Sequence, residues 1–131
     1  MYEEAVSVPL IISNPKRFKT PQVTDALANN IDVAPTIAAI AGIKWPRALR
    51  GINLLHDKQE AIFSVAGQST DVKGLVKMVR VDGWKLILYP NGDKQLFDMK
   101  NDIDELNNRA KDPALQSVVS DLHSRIDKAI V

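Results

Sequence analysis

The spacing of the apolar residues changes along the chain, and each spacing is typical of a different element. Residues 6–12 alternate between apolar and polar and then become apolar on both faces at Leu10-Ile11-Ile12. This pattern predicts an inner strand that is covered on each side. Near the end of the chain the apolar residues recur every three or four positions, which predicts one face of a helix. They are Leu115, Val118, Val119, Leu122, Ile126, Ala129 and Ile130.

Four further strands are predicted between the first strand and the closing helix. They cover residues 61–66, 75–81, 84–89 and 95–99. Asp82-Gly83 and Asn91-Gly92 are turn dipeptides that join antiparallel strands in tight hairpins. The four strands therefore follow one another in meander order.

Two helices have recognisable ends in the sequence. Asp32 is a candidate N-cap, with Pro35 in the first turn and Gly42 as the C-terminal stop. Asp112 and Pro113 begin the closing helix in the same way. A short helix is also predicted at residues 102–108 and a short strand at residues 22–24.

Together these elements predict an α+β fold, a small antiparallel four-stranded sheet packed by a long C-terminal helix. We place a domain boundary near Asp57, which divides the chain into residues 1–57 and 58–131. Residues 58–131 are expected to be self-sufficient, because burying the apolar helix face contributes on the order of several kcal/mol before entropy. Residues 1–57 hold too few elements to cover an inner strand.

Composition narrows the possible functions. The chain has 131 residues, of which 45% are hydrophobic and 25% are charged, and its net charge is +1. This is ordinary globular composition, with no basic stripe for nucleic acid or an anionic membrane. The absence of cysteine excludes disulfides, thiolate zinc sites and cysteine nucleophiles. No apolar run approaches the roughly 20 residues that span a bilayer.

The polar residues offer no clear metal site. The acidic group Asp98, Asn101, Asp102, Asp104 and Glu105 suggests calcium, but Lys100 and Ile103 fall where an EF-hand loop needs a ligand and a glycine. We expect this group to cap a short helix instead.

The remaining candidate side chains also have structural interpretations. His56 and His123 are expected to be surface residues, because no zinc-type spacing relates them. Asp32 could be mistaken for a catalytic carboxylate, but N-capping already accounts for it.

Three blocks of sequence stand out: YEEAVSVPLII at residues 2–12, DVAPT at residues 32–36 followed by Ala41-Gly42-Ile43, and GWKLILYPNGDKQLFDMKNDIDELNN at residues 83–108. These blocks resemble the sulfatases of the alkaline phosphatase superfamily and occur in the order that those enzymes use. The resemblance covers nearly the whole chain. Ser7 and Ile103 depart from it, since sulfatases often have arginine and proline at those positions.

The resemblance implies that residues 1–57 are the last strand and helix of an α/β catalytic domain. It also implies that residues 58–131 are the C-terminal antiparallel-sheet subdomain. A complete sulfatase would use a formylglycine, made from the Cys or Ser of a Cys/Ser-x-Pro-x-Arg motif, and bound calcium. We expect this nucleophile and most metal ligands to lie upstream, so no catalytic, cofactor-binding or metal residue is assigned here. Tyr2 and Glu3 are expected at the active-site rim of the full-length enzyme.

The expected function is therefore the C-terminal portion of a sulfatase, inactive as the isolated chain. Its expected partner is the N-terminal catalytic portion, and the family favours a periplasmic or extracellular location. Two alternatives remain open. One is a portion of a phosphodiesterase or phosphonate monoester hydrolase of the same superfamily. The other is a stand-alone interaction module that forms homo-oligomers through exposed apolar faces, for example by pairing residues 6–12 with a second copy.

Overall fold

A computed structural model describes residues 1–46 and 48–130 of the chain. Its helices are a short helical turn α1 (Glu3–Val6), α2 (Val33–Ile40) and α3 (Gln116–Ala129). Its strands are β1 (Ala61–Ala66), β2 (Val76–Val81), β3 (Trp84–Leu88) and β4 (Lys94–Asp98). The four strands predicted at residues 61–66, 75–81, 84–89 and 95–99 and the two longer helices agree with these bounds to within a few residues.

The four strands form one antiparallel sheet in the order β1-β2-β3-β4, as predicted. Val79 pairs with Leu86, which in turn pairs with Leu96, so three apolar residues line up across the middle of the sheet. Gly83 and Gly92 have φ angles of 80° and 90° in the two tight turns. Only glycine adopts such angles without strain, which explains the turn dipeptides.

Helix α3 covers one face of the sheet, here called the first face. Val119, Leu122 and Ile126 of the helix are buried against Val79 and Leu86 of the strands. The helix is preceded by a 3₁₀ turn at Pro113–Leu115, which Asp112 caps by accepting a hydrogen bond from the amide of Ala114. The predicted apolar helix face thus forms the main core of the chain.

The opposite face of the sheet, here called the second face, is covered by the start of the chain. Its buried residues are Met78, Ile87, Phe97 and Met99, against which Met1 and Val6 pack. The sequence analysis does not predict this contact. It joins residues that are far apart in sequence and gives the sheet two covered faces.

The predicted strand at residues 6–12 is wrong. The segment instead contains the end of α1, followed by residues without regular structure. A strand needs a neighbour to accept its backbone hydrogen bonds, and no strand pairs with this segment among the described residues. Its apolar side chains are accordingly exposed, by 79% at Val8 and 86% at Ile11. The short strand predicted at residues 22–24 is also absent from the described structure.

The short helix predicted at residues 102–108 is wrong as well. Asp102 does accept hydrogen bonds from following amides, as an N-cap would, but from Leu106 and Asn107. Glu105 interrupts the run with a φ of 54°, in the left-handed region that a helix cannot contain. The segment is therefore a succession of turns folded around the carboxylate of Asp102.

The division of the chain at Asp57 stays a prediction. Several hydrogen bonds join its two sides, among them Asn29 Nδ2 to the Phe63 carbonyl at 3.1 Å and Arg50 Nη1 to the Ala129 carbonyl at 3.2 Å. Residues 1–6 also lie on the sheet that residues 58–131 form. Any boundary near Asp57 therefore separates parts that remain in contact.

We predict that Ile126→Ala lowers the free energy of unfolding by about 3 kcal/mol. Ile126 is fully buried between α3 and the sheet, and truncating such a residue removes apolar contacts and leaves a cavity. Urea denaturation followed by tryptophan fluorescence, to which Trp45 and Trp84 both contribute, measures the change. The matched control is Ile103→Ala, since Ile103 is 56% exposed and its truncation should change stability by less than about 0.5 kcal/mol. Equal losses in the two variants would contradict the proposed core.

Candidate functional site

The most unusual side chain in the structure is Lys85, the second residue of β3. It is fully buried and points to the second face of the sheet. Its Nζ lies 2.9 Å from Oε1 of Glu3 and 2.9 Å from Oε1 of Glu105. A buried ammonium group is very costly unless it is paired, so these two carboxylates are what permits a lysine here. We call Glu3, Arg80, Lys85 and Glu105 the buried charge cluster.

Glu105 connects the cluster to the loop after β4. Its carboxylate also accepts a hydrogen bond from the backbone amide of Glu3. The left-handed backbone of Glu105 costs roughly 1 kcal/mol or more in a residue with a side chain. The ion pair with Lys85 and the bond from Glu3 offset that strain.

Arg80 is the cross-strand neighbour of Lys85 in the sheet. Its Nε lies 3.8 Å from Oε1 of Glu3, a longer contact than those of Lys85. Among the described residues, its buried Nη1 has no hydrogen-bond partner. The cluster therefore has two cations and two carboxylates. Oε1 of Glu105 lies 2.9 Å from the Lys85 ammonium as an ion pair, but like Nη1 of Arg80 it makes no hydrogen bond of suitable geometry among the described residues.

Tyr2 lies beside the cluster and is held by the sheet in two ways. Its ring packs against Phe97 at a centroid distance of 5.8 Å, and its hydroxyl accepts a hydrogen bond from Nε2 of Gln95. Gln95 in turn accepts from the hydroxyl of Tyr89 at 2.8 Å. Burial, with a smaller contribution from Tyr2, raises the pKa of Tyr89. Both predicted rim residues, Tyr2 and Glu3, thus contact the small sheet, and their role at an active-site rim stays a prediction.

Asp32 has a different structural role from the one predicted. It is fully buried, but its side chain makes no capping hydrogen bond to the first turn of α2. The carboxylate instead accepts from the amides of Asn29 and Ile52, each at 2.9 Å, and from Nε2 of Gln59. The reason is that a 3₁₀ turn at Asn30–Asp32 precedes α2, so that Asp32 closes this turn and also holds the connector around Ile52.

Helix α2 and residues 10–13 form an open apolar groove with a volume of about 230 Å³. Ile37, on the outer side of the helix, is 60% exposed. We call this surface the apolar groove; its lining residues include Leu10, Ile11, Ile12, Val33, Ile37 and Ile40.

The histidines lie where they were predicted, at the surface. His56 is exposed in the connector, and His123 on α3 lies 3.9 Å from Asp127. In the part of the chain that the structure describes, no three His, Asp or Glu side chains converge as metal ligands do. Neither histidine contributes to a candidate metal site.

The acidic group at residues 98–105 is occupied by internal hydrogen bonds. Asp98 accepts from the side chain and amide of Asn101 and from the amide of Lys100. The bond from the Asn101 side chain is the main reason that the pKa of Asp98 is lowered. Because Glu105 is paired with Lys85 and Asp102 holds two amides, this donor set does not fit calcium.

One string has the spacing of the sulfatase nucleophile motif, Ser-x-Pro-x-Arg, which the sequence-based prediction did not take into account. It is Ser13-Asn14-Pro15-Lys16-Arg17. Asn14 accepts hydrogen bonds from the amides of Lys16 and Arg17, so the string is an ordinary Asn-initiated turn. Ser13 is exposed, and no cluster of three His, Asp or Glu side chains that could hold a metal forms among the described residues. In the described structure this spacing therefore falls in an exposed turn.

Comparison with known proteins identifies the family. The family model described as "N-sulphoglucosamine sulphohydrolase, C-terminal" matches residues 1–131. The chain belongs to this family and is homologous to the C-terminal part of sulfatases. Arylsulfatase K of Homo sapiens is 32% identical over 145 aligned positions, which cover 97% of this chain and 27% of that protein. The chain spans about a quarter of the length of the curated relatives that it matches.

Bacterial relatives and solved structures agree with this assignment. The Delta 4,5-hexuronate-2-O-sulfatase of Bacteroides thetaiotaomicron is 28% identical, over 98% of this chain and 29% of that protein. A structure of a 2-O GAG sulfatase superposes with a TM-score of 0.67 at 27% identity, covering 76% of this chain and 24% of that one. A phosphonate monoester hydrolase from Silicibacter pomeroyi has a TM-score of 0.64 but only 22% identity, covering 79% of this chain and 25% of that one, and so shares the fold alone. Sulfatases are the better match.

Sequence reasoning missed the two central members of the cluster, Lys85 and Glu105. A signal for Lys85 was present, because a lysine in the apolar run Trp84-Lys85-Leu86-Ile87-Leu88 must either be exposed or have a buried partner. Nothing local indicates that the partner is Glu3, since this residue lies 82 positions away in the sequence. Glu105 was assigned to a helix, which hid its role.

We predict that Asp32→Ala destabilises the chain by about 2–4 kcal/mol. The substitution leaves the amides of Asn29 and Ile52 without their acceptor in a partly buried place, and such losses are costly. Thermal and urea denaturation measure the effect. Asp25→Ala is the control, because Asp25 is exposed. If the two substitutions had the same small effect, the structural role of Asp32 would be wrong.

We also predict a loss of stability in acid that involves Asp112. The hydrogen bond from Arg109 is the main cause that lowers the pKa of Asp112 below its usual 3.8. A lowered pKa in the folded state stabilises the fold above about pH 4, and this contribution is lost as the pH falls through the lowered value. As the pH is lowered from about 5 to about 2.5, the urea concentration at the midpoint of unfolding should therefore fall less steeply in Asp112→Asn than in the parent chain. Parallel curves for the two proteins would refute this.

Proposed function

We propose that this chain acts as the C-terminal part of a sulfatase that hydrolyses a sulfate ester. The family match over residues 1–131 is the observation that carries the proposal. The relatives named as arylsulfatase K and as a hexuronate sulfatase support sulfate esters over phosphonates. The particular substrate would be selected by residues outside this chain.

In this proposal the reactive groups come from the rest of the enzyme. Calcium and a formylglycine are the cofactors expected of a complete sulfatase. The described residues do not offer the converging oxygen ligands that calcium needs, and Ser13 lies in an exposed turn. No step of the reaction is therefore assigned to side chains of this chain. Its contribution is the folded sheet, the closing helix and the surfaces that contact the catalytic portion.

The apolar groove is the proposed contact for the catalytic portion. Ile11 and Ile37, which both line the groove, are exposed by 86% and 60%, which is unusual for side chains of this size lying together. The segment after α1 also lacks regular backbone pairing in the described structure. Relatives are about four times as long as this chain, so preceding polypeptide of the same enzyme is available to cover this surface. Burial of the groove would remove the exposed apolar area from water.

The location proposed for the complete enzyme is outside the cytoplasm, in the periplasm, a lysosome or the extracellular space, as for the sulfatase family in general. Among the described residues, no helix is both long and apolar enough to pass through a bilayer. Two partners could cover the apolar groove. One is the catalytic portion of the same enzyme, and the alternative is a second copy of this chain in a homo-oligomer. Light scattering distinguishes the two, because a monodisperse monomer excludes the oligomer.

We predict that the purified 131-residue chain does not hydrolyse an aryl sulfate. The physical reason is that no three His, Asp or Glu side chains converge as metal ligands among its described residues, and that Ser13 lies in an exposed turn. The assay compares the chain with buffer and with heat-treated protein over several hours, with calcium added. Turnover above both controls would overturn the proposal that this chain depends on other residues for catalysis.

A positive test uses the DNA that precedes the codon of Met1. The proposal expects an open reading frame there with a Cys/Ser-x-Pro-x-Arg motif, and the joined polypeptide should hydrolyse sulfate esters faster than phosphonate esters. A joined polypeptide that prefers phosphonates would show the chain to be part of a phosphonate monoester hydrolase.

A further inference from the structure

We propose that Lys85 is a positioning residue that fixes residues 2–6 in one place on the second face of the sheet. This proposal rests on the proposed function in one respect. The polypeptide that would carry the sulfatase nucleophile joins this chain through residues 2–6, so Lys85 would set how that portion meets the sheet.

The first argument concerns what holds Lys85. Its two carboxylate partners lie outside the strands, Glu3 in α1 and Glu105 in the loop after β4. If residues 2–6 left the sheet, the ammonium group would keep only one of its partners. Glu105 would at the same time lose the amide of Glu3. Release of the segment therefore breaks several polar contacts at once and leaves a charge less well paired.

The second argument concerns register. Apolar contacts such as those of Met1 and Val6 with the second face tolerate small shifts, because they have no preferred direction. An ion pair of 2.9 Å between a buried ammonium group and a carboxylate does not tolerate such shifts. The ring of Tyr2 on Phe97 gives a further fixed point next to the pair. Buried charge pairs are well suited to fixing one register among several apolar alternatives.

The third argument is the contrast between two adjacent glutamates. Glu3 contacts Lys85, whereas Glu4 is exposed and makes no side-chain hydrogen bond or ion pair among the described residues. A change at Glu4 alters the charge of the segment by the same amount as a change at Glu3. The two residues therefore form a matched pair for testing whether the specific contact matters.

The test is amide hydrogen exchange, measured by NMR on the full 131-residue chain. The amides of Ala5 and Ser7 donate to the carbonyls of Tyr2 and Glu3 at 2.9 and 2.8 Å, so they report whether α1 is intact. Glu3→Gln should speed their exchange at least about tenfold, since hydrogen bonds to charged groups are worth this much or more. The amides of Leu86 and Leu96 within the sheet should exchange as before. Glu4→Gln should leave both sets unchanged.

Lys85→Met provides the second half of the test. Methionine has a similar length without the charge, so the sheet retains a filled position while both carboxylates lose their cation. Ala5 and Ser7 should exchange faster than in the parent chain. Adding Glu3→Gln to Lys85→Met should produce little further change, because the two substitutions remove the same contact. If Lys85→Met fails to fold, the comparison of Glu3→Gln with Glu4→Gln still decides, because Glu3 lies outside the sheet.

Equal exchange at Ala5 and Ser7 in Glu3→Gln and Glu4→Gln would overturn the positioning role. So would faster exchange throughout the sheet in Glu3→Gln, since that would show a general loss of stability. None of these measurements depends on sulfatase activity. A chain that shows the expected exchange but belongs to no sulfatase would contradict the proposed function alone.

Discussion

A lysine with no exposure to water constrains the whole arrangement of this chain. Lys85 lies on a central strand, and its charge has to be matched by groups from elsewhere in the sequence. Glu3 and Glu105 supply that match from the first residues of the chain and from the loop after β4. The start of the chain, the sheet and that loop are therefore tied together at one point.

This constraint explains features that are otherwise unrelated. The second face of the sheet is covered by residues 1–6, which are held there by the contact of Glu3 with Lys85 as well as by apolar packing. Glu105 keeps an unfavourable backbone angle because its carboxylate is needed in the cluster. Helix α3 covers the other face mainly by apolar contacts. The two faces of one sheet are thus stabilised by different kinds of interaction.

Most of the local structure could be predicted from the sequence, because the strands, the tight turns and α3 are specified by nearby residues. Gly83 and Gly92 mark turns that only they can make, and the spacing of Val119, Leu122 and Ile126 defines one helix face. The strand at residues 6–12 was wrong because a strand also depends on neighbours, which local spacing does not reveal. The buried charge cluster was missed because Lys85 and its partner Glu3 are 82 residues apart. The family resemblance, in contrast, was confirmed by the match over residues 1–131.

The most direct measurement of the central interaction is NMR of the lysine side-chain ammonium groups in the 131-residue chain. A buried ammonium group held by two carboxylates should exchange its protons slowly with water, whereas exposed lysines exchange too fast to be seen at neutral pH. The account predicts a slowly exchanging ammonium signal for Lys85, with through-space contacts to Glu3 and Glu105. Fast exchange of Lys85, like that of the surface lysines, would contradict it.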